Sequence, residues 1–195
     1  MPIDPSTIDV WPRAFAPPDE DAARPFRRSV ESTWSVDETY TTVAGKPVDV
    51  YRAIDGHGQV VDVYVSERRA TADAAACFRR AIAATGVIPD AVTTAGAAAY
   101  PSALAAVLPG ALHETGKQVQ QRIERDHQHL EGRLRPLRGF KILVGARVLC
   151  AGHAFLRNLR GGCDDFPPLI DAAAASTTPP VVQAWDVLTG ALLAR

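Results

Sequence analysis

From Thr33 onward the chain alternates between apolar and polar positions. In TWSVDETYTTV, Trp34, Val36 and Tyr40 share one parity and Ser35, Asp37 and Thr39 the other, the period-2 signature of a half-buried strand. KPVDVYRAI and QVVDVYVS follow, rich in Val and Tyr and separated by Asp55-Gly56-His57-Gly58. Such a loop predicts a hairpin, because glycine accepts the positive φ that a tight turn demands. Three strands joined this closely predict an antiparallel meander. The pattern then turns helical in TADAAACFRRAIAATG, with Thr71 placed as N-cap and Gly86 as C-cap. After Pro89 the short run AVTTAG predicts a fourth strand, and a second helix from about Tyr100 to Val107 ends near Pro109-Gly110. From about Gln118 to Leu134, Ile123, His127, Leu130 and Leu134 recur at i, i+4, i+7 and i+11, one face of an amphipathic helix. A last helix is expected from about Val144 to Leu159. The order β-β-β-α-β-α, then helices, predicts an α/β fold: one mixed sheet with helices on its faces.

The two ends lack this regularity. Residues 1–30 are rich in Pro, Asp and Arg, and Pro12 interrupts DVWPRAF, the one candidate helix there; a loosely ordered leader is expected. Residues 163–195 are Ala-rich, hold a Pro-Pro and are expected to form a variable tail. The 31–162 segment between them carries the core.

Composition narrows the function classes. A chain of 195 residues with 47% hydrophobic and 22% charged positions can bury a full core without a disulfide or metal staple. No apolar run approaches the roughly 18 to 20 residues of a membrane span. Cys77, Cys150 and Cys163 show no C-x-x-C spacing, as expected of a reduced, cytoplasmic setting. The net charge of −1 hides an uneven distribution: residues 117–162 hold 10 basic and 3 acidic side chains, whereas residues 1–116 hold 10 basic and 15 acidic. The basic block includes Lys117, Arg122, Arg125, Arg133, Arg135, Arg138 and Lys141. It suits a polyanion such as DNA, although a solvated helix surface produces the same pattern.

Two acids draw notice. Asp37 stands in mid-strand, where aspartate is disfavoured, as either a solvated residue or a ligand on a rigid support. Glu124 lies beside Ile123 at the edge of the apolar stripe, and with His127 it spells E-x-x-H. That spacing serves di-iron bundles, but these need two such motifs on four long helices, which this chain lacks. Nucleotide loops and a G-x-S-x-G elbow are also missing.

The ordered strings WSVDETY, YRAIDGHGQVVDVYVS, VTT-x-GAAAYPSAL, RIERDH, RLRPLRGFK and GARVLCAGHAFLRNLRGG resemble the IS-six family of bacterial insertion-sequence transposases, which are DDE recombinases. The resemblance implies an RNase H-like catalytic core over residues 31–162. It also implies metal-dependent DNA cleavage and strand transfer with Mg²⁺ or Mn²⁺, DNA partners (transposon ends and target duplex), self-association and no membrane. Its first catalytic, metal-binding aspartate falls on Asp37 and its glutamate on Glu124. The second aspartate falls on position 95, which here is Ala95. A methyl group offers a cation no lone pair, so strand transfer is expected to be impaired. Asp90, which precedes the strand, and Asp126, on another helix face, make no evident substitute. The family's helix-turn-helix would need more than the thirty or so residues before the first strand, so an N-terminal truncation is implied. Gln120 and Gln121 also replace the usual asparagine pair. The alternative is a non-catalytic, transposase-derived DNA-binding or assembly protein.

Overall fold

The computed structural model describes residues 23–115, 121–135 and 138–165. The leader with Pro12 up to residue 22, the 163–195 tail beyond Asp165, and residues 116–120 with Lys117 and Gln120 lie outside them. The described residues fall into two compact units, 29–150 and a unit formed from the two ends, 23–28 with 151–165.

The larger unit is built on one sheet. β1 (Thr33–Val43), β2 (Lys46–Asp55) and β3 (Val60–Ser66) form the expected antiparallel meander. The first turn, Ala44-Gly45, has φ of 49° and 77°, the double positive φ that matches the twist of a two-residue hairpin. The second turn is stabilised by Asp55, whose Oδ1 accepts the N–H groups of His57 at 3.0 Å and Gln59 at 2.9 Å. Helix α1 (Thr71–Thr85) follows, then β4 (Ala91–Thr94) and helix α2 (Ala99–Val107). Gly86 closes α1 at φ 71°, as expected, but the N-cap position is Ala70, and Thr71 is the first helical residue.

β4 pairs in parallel with β1, from Thr33↔Ala91 to Val36↔Thr94. A short strand that the pattern did not predict, β5 (Leu112–Thr115), pairs in parallel with β4. The sheet order is β3-β2-β1-β4-β5, the mixed RNase H-like arrangement. β5 escaped notice because Leu-His-Glu-Thr shows no apolar alternation: it is an edge strand with Leu112 60% exposed, held by backbone pairing.

Both faces of the sheet are covered. Trp34, Val36, Tyr51, Ala53 and Val92 pack with Phe78 and Ala81 of α1 and Tyr100 and Leu104 of α2. Helix α3 (Gln121–Leu134) lies against the other face of β1, with Ile123, His127, Leu130 and Leu134 all buried. Thr39 Oγ1 donates across to Glu131 Oε1 at 3.2 Å. This second layer explains a departure from the simple alternation. Tyr40, placed by parity with Trp34 and Val36, is 72% exposed, while Thr39, Thr41 and Val43 are buried. The buried parity therefore changes sides midway along β1.

Beyond α3, Phe140 bridges to the hairpin tip: its N–H donates to the Thr42 carbonyl at 2.6 Å, and its own carbonyl accepts from Ala44. Gly139 permits this approach. Its φ is +97°, and a Cβ there would sit 2.9 Å from the Thr42 oxygen. Helix α4 (Leu143–Gly161) begins in the larger unit and ends in the smaller. In the smaller unit, Arg27 bridges to Asp164, and Arg28 Nε donates to Asp165 Oδ1 at 2.8 Å. Among the described residues no helix is long and apolar enough to cross a membrane.

Candidate active site

Asp37 lies on the α3 face of β1. The paired run of β1 and β4 stops at Val36↔Thr94, so Asp37 continues β1 without β4 and Ala95 is the first residue beyond β4. Gly96, at φ 83°, turns the chain away immediately afterwards. Thr94 is fully buried; its Oγ1 lies 2.9 Å from His113 Nε2 on β5 and accepts the Gly96 N–H at 3.4 Å. These contacts fix the chain on either side of Ala95, which is itself exposed.

The Asp37 carboxylate has a defined orientation. Its Oδ1 accepts the Glu38 backbone N–H at 2.9 Å, and its Oδ2 lies 3.8 Å from His127 Nδ1 on α3. The Asp37 pKa is pushed up to about 6: burial raises it most, the negative charges of Glu38 and Glu124 raise it too, and the Glu38 N–H and the Arg69 charge oppose them. Glu124, on the first turns of α3, is exposed and acts electrostatically on Asp37. Asp37 therefore follows the last β1 residue paired with β4, Ala95 follows the last residue of β4, and Glu124 lies on α3 near enough for its charge to act on Asp37. His127, the other half of E-x-x-H, is the residue that meets Asp37.

Glu38 is a site residue that sequence reasoning missed. It faces the opposite side of β1, with its side chain only 6% exposed. Its Oε2 accepts from the Tyr100 hydroxyl and its Oε1 from the Arg69 guanidinium. Burial, the Glu38 charge and the hydrogen bond to it push the Tyr100 pKa far up. The signal was present in the sequence: a glutamate on the same parity as Trp34 and Val36 must find partners or stay solvated.

The basic candidates are less gathered. Lys117 lies outside the described residues, as do the side chains of Arg122, Arg125 and Arg133. Arg135 is exposed, with its Nη2 3.9 Å from Glu131 one turn back. Arg138, at φ 52°, and Lys141 are exposed on the segment leading into α4.

The chemistry of the donors sets what the site can hold. Mg²⁺ takes hard oxygen ligands and is commonly held by one or two carboxylates with water completing its shell. Asp37 and Glu124 are oxygen donors of the kind such an ion takes, and the charge of Glu124 reaches Asp37. Among the described residues no group of three or more His, Cys, Asp or Glu is placed to hold a metal, and position 95 carries only a methyl group.

A family model described as a DDE domain matches residues 31–162. The transposase for insertion sequence-like element IS431mec of Staphylococcus aureus strain Mu50 is 31% identical over 133 residues, covering 66% of this chain and 59% of that protein. The transposase for IS257 in transposon Tn4003 of Staphylococcus aureus aligns with the same figures. The chain therefore spans about three-fifths of the length of these relatives. Solved structures are looser likenesses. The BIV integrase catalytic core superimposes with a TM-score of 0.47 at 20% identity, over 67% of this chain and 84% of that one. The trimeric form of the HTLV-2 integrase core with magnesium gives 0.48 at 15%, over 83% and 99%. Neither likeness adds to the family match. With the family match spanning the whole meander, β4, α3 and all of α4, the chain belongs to the DDE-domain transposases of the IS-six family.

Proposed function

We propose that this chain is a DDE-type transposase-family protein built for metal-dependent DNA cleavage and strand transfer, and that its strand-transfer chemistry is impaired as written. What supports this is the β1–β4 register, whose last pair, Val36↔Thr94, stands one residue before Asp37 and Ala95, the latter where the family pattern calls for a second aspartate. Residues 31–162 form the catalytic-type core, with Asp37 and Glu124 as its catalytic and metal-binding residues. Asp37 and Glu124 would hold a divalent cation, which would supply activation of the attacking oxygen and stabilisation of the leaving one. The protein's own part is to hold two carboxylates rigidly, one from a strand and one from a helix. With Ala95 it retains ligands for one Mg²⁺ or Mn²⁺ and lacks those for a second.

The preferred partner is duplex DNA, as transposon end or target, held by Lys117, Arg122, Arg125, Arg133, Arg135, Arg138 and Lys141. Self-association and a cytoplasmic setting follow from the same family assignment, and three free cysteines agree with a reducing compartment.

The test is Ala95→Asp. Position 95 is exposed, so the larger side chain has room. The variant should gain Mg²⁺-dependent nicking or strand transfer on transposon-end DNA that the natural chain lacks. No gain over the natural chain would remove Ala95 as the cause. The exposed Arg135, Arg138 and Lys141 favour a second reading, a DNA-binding or assembly subunit without chemistry. That reading gains if both proteins bind duplex with an affinity falling steeply in salt and neither cuts it.

A further inference from the structure

β1 meets the site just where its support thins. Up to Val36 it is paired on both sides, with β2 and with β4. At Asp37 and Glu38 the β4 pairing is gone, and the backbone is paired with β2 through Asp37↔Arg52 and Glu38↔Tyr51. The missing restraint is replaced from the opposite face. Glu38 reaches down among Tyr51 and Tyr100 and is gripped by the Tyr100 hydroxyl and by Arg69. Tyr100 lies at the start of α2, five residues after Ala95 and beyond the Gly96 turn. The Tyr100–Glu38 contact therefore ties the segment that carries position 95 to the strand that carries position 37. Glu38 in turn donates its backbone N–H to Asp37 Oδ1 at 2.9 Å, which leaves Oδ2 directed toward α3.

We propose that Glu38, clamped by Tyr100 and Arg69, is a positioning residue for Asp37: it sets the orientation of that carboxylate toward a bound cation and the spacing between positions 37 and 95. This rests on the assignment of Asp37 as a metal ligand. A buried carboxylate needs partners for stability alone, so the clamp must be separated from ordinary structural support. A charged pair of this kind could have been replaced by apolar packing, often at no loss of stability. Its place directly behind the ligand is what makes it a positioning device, since outer partners of a metal ligand typically govern affinity by about 10- to 100-fold.

The experiment measures Mn²⁺ affinity of the full chain by electron paramagnetic resonance, with thermal unfolding recorded in parallel. Asp37→Ala should abolish the site. Tyr100→Phe removes only a hydroxyl and should weaken Mn²⁺ by about tenfold. Glu38→Gln, which keeps an acceptor oxygen, should fall between the natural chain and Tyr100→Phe. Should Tyr100→Phe not fold, Arg69→Gln at a 62% exposed side chain serves instead, with a loss of about threefold or more expected on the same grounds. A lower melting temperature with Mn²⁺ affinity unchanged within about twofold would reduce the clamp to structural support and overturn the proposal. Mn²⁺ binding indifferent to Asp37→Ala would instead overturn the metal assignment, and this inference with it.

Discussion

Two neighbouring carboxylates, Asp37 and Glu38, point to opposite faces of the same strand and meet opposite conditions. Glu38 is buried against the α1–α2 layer with Tyr100 and Arg69 on its two oxygens. Asp37 is largely buried against α3, yet it has one backbone N–H on Oδ1, a histidine 3.8 Å from Oδ2, and another carboxylate close enough to raise its pKa. Residue type and sequence position are almost the same; the partners differ. A carboxylate whose charge is already balanced within the protein holds the fold together. One left with excess negative charge at an open edge is suited to a cation.

The contrast can be broken from either side. The largest effect is expected from Glu38→Ala, which removes two hydrogen bonds involving a charged acceptor and opens space in the core. It should cost about 3 kcal/mol in urea unfolding; a loss near zero would mean that the clamp is not formed.

Asp37→Asn should act in the opposite direction. Because the folded-state pKa of Asp37 is raised to about 6, the folded protein binds a proton more tightly than the unfolded chain does. This group therefore makes the natural protein less stable as pH rises from about 4 through 6. The asparagine variant should be the more stable protein at pH 7, by on the order of 2 kcal/mol, with the advantage gone below about pH 4. Equal stability of the two proteins across that range would show that Asp37 is solvated or already neutralised.

Much of the fold was legible because its drivers are local. Turn glycines, the alternation of β1 to β3, and the Ile123–Leu134 stripe each specify an element through neighbouring residues. What could not be read locally was supplied by tertiary contact. β5 exists only because β4 offers it an edge, and the buried parity of β1 switches because α3 covers one end of the strand. For the site, the motif resemblance located Asp37, Ala95 and Glu124. The strand register then adds what no single string contains: Val36 and Thr94, the residues just before Asp37 and Ala95, are the last pair of β1 and β4. The clamp on Glu38 joins residues 38, 69 and 100, a separation that alternation along β1 can hint at but cannot specify.

The central claim is that one methyl group halves the metal site. It is tested most directly by counting Mn²⁺ ions bound to the natural chain and to Ala95→Asp under the same conditions. One ion on the natural chain, lost in Asp37→Ala, and two on Ala95→Asp would bear the account out. Two ions on the natural chain, or a single ion on both proteins, would contradict it.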